Sequence, residues 1–552
     1  MRSFFRLIVR FRRDKRANVA MIFGIAVVPL ISAMGCAVDY SMATRMRAKL
    51  QSAADAASVA SLSKNSAGFT AAAAMTGDGS VTAGVTEANN VFDGNVGSIT
   101  GYNNLTRTST VTKTGIKLAS SVTFSADVPT NFMRVVGFQK LTVTGVSKSS
   151  ASLPPYLDFY LALDVSGSMG LPSTTAEAKR LQYLSPDNYA QYPTGCTLAC
   201  HFSQQNGPCT DSGTQGYPTN GYCLGYLISR VSPSGYTNLL TLQSPQGKYL
   251  YKNQDQNSPL YNKYWQLPST MVSGLPNSLN AALPPVSSCP TAGTDNCIQL
   301  RLDAVGFALN ATVAANGVDG LLALAQKKKI VTNQFRIGLY PFIKDIDKSY
   351  APLTSTINGS STTPGTINYA AANLATELDT NLNVNLGSGG THIDNALNSI
   401  NNLIASVGNG SASNNTQPYV FLVTDGAQDN QYKDVPNGNW HGSNHATVLS
   451  DTVNAYPGIC TTLKSRGIIV SVLYIPYQPI NPVNTSFAGD EDDYANWNIG
   501  TATTGIAKSL SDCSSPADAA GSYFYTANTP ADITAALNAM FNHAVTTAHI
   551  TN

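Results

Sequence analysis

Leu161-Ala162-Leu163-Asp164-Val165-Ser166-Gly167-Ser168-Met169 is an apolar run that ends in Asp-x-Ser-x-Ser. A short apolar run bounded by small turn residues reads as a buried strand delivering a carboxylate and two hydroxyls to a tight loop. Oxygen donors of this kind suit hard divalent cations, and Mg²⁺ in particular keeps several waters and takes few protein ligands. Two later segments can complete such a set. Gly387-Ser388-Gly389-Gly390-Thr391 precedes a helical pattern, and Val420-Phe421-Leu422-Val423-Thr424-Asp425-Gly426 is a second apolar strand ending in an acid. The glycines of these loops allow a sharp turn and a close backbone approach.

Together Asp164, Ser166, Ser168, Thr391 and Asp425 resemble the metal-ion-dependent adhesion site of von Willebrand factor A domains. The resemblance implies a doubly wound, mostly parallel α/β sheet (Rossmann-like) and an Mg²⁺, Mn²⁺ or Ca²⁺ ion. It also implies an open coordination position for the acidic side chain of a partner protein. The plainer reading is an Asx/Ser-turn network that only stabilises loops. Catalysis is not expected. A nucleophilic serine needs a base in reach, and His392 falls at the start of a helix, pointing away. His201, His441, His445, His543 and His549 show no metal-ligand spacing. Asp490-Glu491-Asp492-Asp493 reads either as a Ca²⁺-holding loop or as a solvated one.

Charged residues make up 12% of the 552 residues, well under the roughly 25% of an average domain. The formal charge of +2 gives no reason to expect a nucleic-acid partner. Charge is concentrated at Arg2, Arg6, Arg10, Arg12, Arg13, Lys15 and Arg16, followed by the uncharged stretch from Val19 to Val38. A helix of that length spans about 30 Å, the hydrocarbon thickness of a bilayer. Three readings stay open: a retained anchor, a signal cleaved or lipid-modified near Ala33-Met34-Gly35-Cys36, and a buried soluble helix. The anchor is favoured, because helical spacing continues through Tyr40, Met46, Leu50, Ala54, Ala57 and Val59. The basic flank then places the N-terminus in the cytoplasm and the remainder outside.

Cys36 lies in the span, and eight further cysteines lie beyond it. An even number in an exported body suggests disulfides. Pairing among Cys196, Cys200, Cys209, Cys223, Cys289 and Cys297 is not deducible from spacing. Zinc at Cys196-x3-Cys200-His201 is disfavoured by irregular spacing. Cys460, in the helix before one strand, and Cys513, before the last strand, are the favoured pair, since neighbouring elements bring them within reach.

The expected organisation is a basic segment at 1–16, a transmembrane helix at 17–38, a helical extension at 39–62, and a linker with a small β-rich segment at 63–152. Within it, 63–105 reads as a loose stalk and 130–136 as a short helix. The α/β domain occupies 153–552, with strands at 157–163, 335–342, 419–423, 468–475 and 523–527 and helices at 300–316, 367–378, 392–406, 446–466 and 530–544. Thr391 with Asp394, and Thr529-Pro530, are its clearest helix starts. A Tyr/Pro/Gln/Asn-rich insertion, 171–298, separates the first strand from its helix. It leaves a carboxyl strand end, the ligand-binding edge of such sheets, as do the loop after Asp425 and the segment 476–502.

Phe11-Arg12-Arg13-Asp14-Lys15-Arg16-Ala17-Asn18-Val19-Ala20-Met21, then Ala37-Val38-Asp39-Tyr40 and Leu50-Gln51-Ser52-Ala53-Ala54-Asp55-Ala56-Ala57, resemble the TadG-like proteins of tight-adherence (Flp) pilus assembly, with Ala17 where the family usually has Gly. Longer members carry a C-terminal von Willebrand A domain, including positions like Cys460 and Cys513. The resemblance implies an inner-membrane, single-pass, non-enzymatic protein with a periplasmic body, working with minor pilins and other assembly proteins. A cell-envelope adhesin for a host or matrix protein, and less so a metal-dependent hydrolase, are the alternatives.

Overall fold

Every residue of Leu157–Asp164 is buried, as expected of a parallel strand covered on both faces rather than one. Its odd positions, Leu157, Phe159, Leu161 and Leu163, enter one apolar core, while Tyr160 and Ala162 enter a second on the opposite side. The computed structural model describes residues 17–171, 173–174, 250–252, 264–266, 299–310, 318–357, 363–379, 385–434, 439–442, 447–449, 455–476 and 505–550. The expectations for 1–16, for the six cysteines of the insertion and for Asp490–Asp493 lie outside those residues. The chain divides into two compact units, Met1–Pro154 (with Asn552) and Pro155–Thr551.

The first unit opens with helix α1, Ala17–Ala60. It is apolar and long enough to cross a membrane, and exposed large side chains such as Ile22, Phe23, Ile25, Val28 and Ile31 line its first half. Its second half changes character. Ala43, Met46, Leu50, Ala54 and Ala57 are buried at helical spacing against a sheet, whereas Tyr40 and Val59 stay exposed. Helices α2 (Ala67–Ala74) and α3 (Thr82–Val96) come next, with a two-residue strand β1 (Gly79–Ser80) between them. The stretch 63–105 is therefore not a loose stalk: Phe92 and Ala88 are fully buried beside α1. Its Ala/Gly/Thr composition hid the helices because small residues let α1, α2 and α3 pack closely without leaving a strong apolar period.

Strands β2 (Asn103–Thr114), β3 (Lys117–Pro129) and β4 (Lys140–Ser152) form an antiparallel sheet in the order β1-β2-β3-β4. Their buried positions alternate, the mark of one packed face. Serines lock α1 onto this face: Ser58 Oγ lies 2.9 Å from Ser147 Oγ and 2.7 Å from Ser149 Oγ, and Ser61 donates to Ser120 Oγ at 2.9 Å. Between β3 and β4 the short helix expected at 130–136 is a single 3₁₀ turn, Met133–Val136.

The second unit is a mixed α/β structure. Its sheet holds β5 (Leu157–Asp164), β6 (Phe335–Phe342), β7 (Ala351–Thr354), β8 (Gln417–Thr424), β9 (Ile469–Tyr474) and β10 (Phe524–Thr526) in the order β10-β9-β8-β5-β6-β7. All pairings are parallel except the edge pair β6–β7. Helices α4 (Arg301–Asn310), α5 (Leu321–Lys328), α6 (Ile367–Ala372) and α10 (Pro530–Ile550) contribute to the core shared with Leu161. Helices α7 (Ile393–Leu403), α8 (Ile459–Ser465) and α9 (Ile506–Cys513) contribute to the other.

Of the helix expected over 446–466, the described residues form α8 alone: Thr447 bridges to Gln428, and Gly458, at φ 73°, precedes the helix. Strand β7 and helices α5 and α9 are additions to the sequence reading. Cys460 of α8 and Cys513 of α9 are joined in a disulfide, with Cα atoms 5.0 Å apart.

Candidate functional site

Parallel pairing of β5 with β8 places Leu163 opposite Val423. The next residues, Asp164 on one strand and Thr424-Asp425 on the other, are thereby carried to the same carboxyl edge. Thr424 donates its hydroxyl to Asp164 Oδ2 at 2.6 Å, and the Ser166 N–H donates to Asp164 Oδ1 at 2.9 Å. A 3₁₀ turn, Gly167–Gly170, folds the loop so that the Ser166 and Ser168 hydroxyls stand 3.1 Å apart. All four candidate residues of these two loops are buried, Asp425 completely. Burial, and then the charge of Asp425, push the Asp164 carboxyl well above the usual carboxylate range.

The insertion leaves and returns at one point. Ser173 N–H donates to Gln299 O at 2.9 Å, and Arg301 N–H donates to Leu171 O at 2.8 Å. The return seats Arg301 at the start of α4, where Nη1 donates to Asp425 Oδ2 at 3.3 Å and Nη2 to Pro476 O at 3.4 Å. Sequence reasoning missed this buried guanidinium. Its one signal is a lone cation in the otherwise ordinary run Gln299-Leu300-Arg301-Leu302.

Thr391 arrives on the third loop. Gly387, Gly389 and Gly390 all have positive φ, and a Cβ on Gly390 would overlap the Asp429 and Gln431 carbonyls. Asp379, also missed, organises this loop. It accepts from the Ser388 hydroxyl at 2.6 Å and the Gly389 N–H at 2.7 Å, while its own N–H donates to Val165 O at 2.9 Å. One residue thus ties the first candidate loop to the third. Thr391 itself exchanges two backbone hydrogen bonds with Asp429, each 2.9 Å, and these fix its place on the loop.

The expected capping of α7 by Thr391 and Asp394 is replaced. Gln428 Oε1 accepts from the Ile393 N–H at 2.9 Å, and Gln428 Nε2 donates to Asp394 Oδ1 at 2.6 Å. His392 is the residue preceding the helix, its Nε2 3.1 Å from Gln431 O, and burial lowers its proton affinity.

One pair of these oxygens has the spacing that a small hard cation needs. Adjacent ligands of an octahedral Mg²⁺ at 2.0–2.1 Å sit about 3 Å apart, and the Ser166 and Ser168 oxygens have that spacing. Among the described residues no three His, Cys, Asp or Glu side chains converge. A cation here would rest on Asp164, Asp425 and hydroxyls alone. Such a set leaves it electrophilic. Arg301 already supplies one positive charge to Asp425.

Residues 17–74 match a family model described as putative Flp pilus-assembly TadE/G-like. No curated protein matches. Among solved structures, the pilus adhesin SpaC from Lactobacillus rhamnosus GG in an open conformation aligns at 11% identity over 80% of this chain and 34% of that one, with a TM-score of 0.29. A second form of SpaC aligns at 11% identity, 82% and 35% coverage, and a TM-score of 0.28. The chain thus spans about a third of the length of SpaC.

Proposed function

We propose that this chain is a membrane-anchored component of Flp (tight-adherence) pilus assembly, whose second unit is a von Willebrand A-type, doubly wound domain that captures an acidic side chain of another assembly protein through a divalent cation. The family match over 17–74, which takes in the long apolar helix α1, carries the pilus part of the reading. The basic residues before Ala17 support a cytoplasmic N-terminus and a periplasmic body in a single-pass inner-membrane protein.

The metal part is supported by two buried acids on neighbouring parallel strands with a Ser-Ser pair beside them. Asp164, Ser166, Ser168 and Asp425 would hold Mg²⁺ or Mn²⁺, and Thr391 would join from its glycine loop. The bound ion supplies an electrophilic position for a carboxylate, worth most where water is excluded. Catalysis is not proposed, since His392 faces a backbone carbonyl.

The test is complementation of a deletion strain with wild type and Asp164→Ala, scoring surface pili, together with co-purification of the full-length protein with and without chelator. The reading expects pili and chelator-sensitive partner capture with wild type, and neither with the variant at equal protein level. Normal piliation with Asp164→Ala would end the metal part. Normal piliation in the deletion strain would end the whole.

A further inference from the structure

We propose that the loop between β3 and β4, residues 130–139, is a second membrane contact, seated in the acyl–headgroup boundary of the leaflet from which α1 emerges. This rests on reading α1 as a membrane span. The loop sequence is Thr130-Asn131-Phe132-Met133-Arg134-Val135-Val136-Gly137-Phe138-Gln139. Its apolar side chains face outward: Phe132 is 47% exposed, Val135 85%, Val136 50% and Phe138 58%. Outside α1 and this loop, the described residues of this unit expose only one large apolar side chain, Val146. Four in one short loop form a patch of the kind that marks an interaction site.

The loop is held rigidly in that pose. The buried Asp39 carboxylate accepts from the N–H groups of Asn131, Phe132 and Met133 at 3.0, 2.8 and 2.6 Å. Thr130 N–H donates to Gln139 O at 3.1 Å, and Phe138 N–H to Met133 O at 3.0 Å. Phe132 lies against Gly35 so closely that any Cβ there would overlap it. Gly35 falls inside the uncharged stretch, three residues before its end at Val38. At 1.5 Å per residue, Phe132 is level with a point about 4–5 Å inside the apolar segment. Interfacial elements insert by a similar depth, about 5–10 Å.

Charge agrees with lipid rather than protein as the occupant. Between Ala17 and Ala54 the only acid is Asp39, and the loop covers it. Arg134 in the loop and Arg45, Arg47 and Lys49 just beyond it on α1 are exposed, positioned for anionic headgroups. The rest of the sheet runs away from this end: Ser61 meets Ser120, and β3 begins at Lys117. The patch is therefore confined to the end nearest the bilayer.

The test places a photoreactive benzophenone amino acid at Ile25, Val135 or Lys117 of the full-length chain in phosphatidylethanolamine/phosphatidylglycerol vesicles, with adducts read by mass spectrometry. Lipid adducts at Ile25 and Val135 and none at Lys117 are expected. Adducts at Ile25 with none at Val135, or only protein–protein adducts there, overturn the loop contact and leave the span intact. No lipid adduct at Ile25 overturns the span, and the loop proposal with it.

Discussion

Arg301 Nη1 stands 3.3 Å from Asp425 Oδ2, with side-chain exposures of 7% and 0%. A guanidinium thus sits beside the acid that the candidate site would offer a cation. Removing one member of a buried ion pair leaves the other uncompensated, at a typical cost of about 3–5 kcal/mol. Arg301→Met is expected to lower the melting temperature of the full-length protein in chelator, and Mg²⁺ is expected to restore more of it than it adds to wild type. A variant that loses stability without any extra response to Mg²⁺ would separate Arg301 from the site.

Mg²⁺ or Mn²⁺ itself should stabilise wild type through linkage, by about 2.7 kcal/mol at a hundred times its dissociation constant. Asp164→Ala should abolish the shift, because Asp164 is the acid on which Ser166 N–H and the Thr424 hydroxyl converge. Thermal unfolding with and without ion reads the difference. Equal shifts in wild type and variant would remove the metal assignment.

Asp379 joins the Val165 backbone to the Ser388-Gly389 loop that leads to Thr391. Groups that orient metal ligands typically change affinity by about 10–100-fold when lost. Asp379→Ala is therefore expected to weaken Mg²⁺ binding by that order while leaving a measurable saturable shift. Unchanged affinity by calorimetry would show that Thr391 holds its place without Asp379.

Strands were legible where burial on both faces made continuous apolar runs, as in Leu157–Asp164 and Gln417–Thr424. Helices were legible where a period showed, as in Ile393–Leu403, and obscured where small residues replaced large ones, as in Thr82–Val96. Strand β7 is only four residues long and pairs antiparallel at the sheet edge, which gives too little alternation to see. Of the candidate site, the shared edge of Asp164 and Asp425 could be read because each ends or follows a buried apolar strand. Arg301 and Asp379 could not, since each acts through a contact made only in three dimensions, across 124 residues in the first case.

The Cys460–Cys513 disulfide closes a separation of 53 residues between α8 and α9. Chain-entropy arguments assign a loop of that length about 4 kcal/mol. Cys460→Ser with Cys513→Ser is expected to lower stability by up to that amount without changing Mg²⁺ affinity, because both cysteines belong to the core on the α7–α9 side rather than to the strand-end loops. A reducing agent should lower the stability of wild type by more than that of the double variant, which keeps only Cys36 and the cysteines of the insertion. Stability identical to wild type under oxidising conditions would show that the bridge does not constrain this unit.

Asp127 gives a pH signature confined to the first unit. Asn104, Lys140 and Thr142 all donate to its carboxylate, at 3.0, 2.6 and 2.7 Å, and hold its pKa down to about 2. An unfolded aspartate binds a proton near pH 3.9, so on acidification the unfolded state takes up the proton first. The stabilisation is thus complete above about pH 5 and disappears as pH falls through about 2. All three tryptophans lie in the second unit, so intrinsic tryptophan fluorescence does not report this one. Amide exchange across Lys117–Pro129 and Lys140–Ser152 does. The difference in protection between wild type and Asp127→Asn, which cancels the intrinsic pH dependence of exchange, is expected to be clear at pH 5 and much reduced by pH 2. A difference undiminished at pH 2 would mean that shape, not the carboxylate charge, is what Asn104, Lys140 and Thr142 recognise.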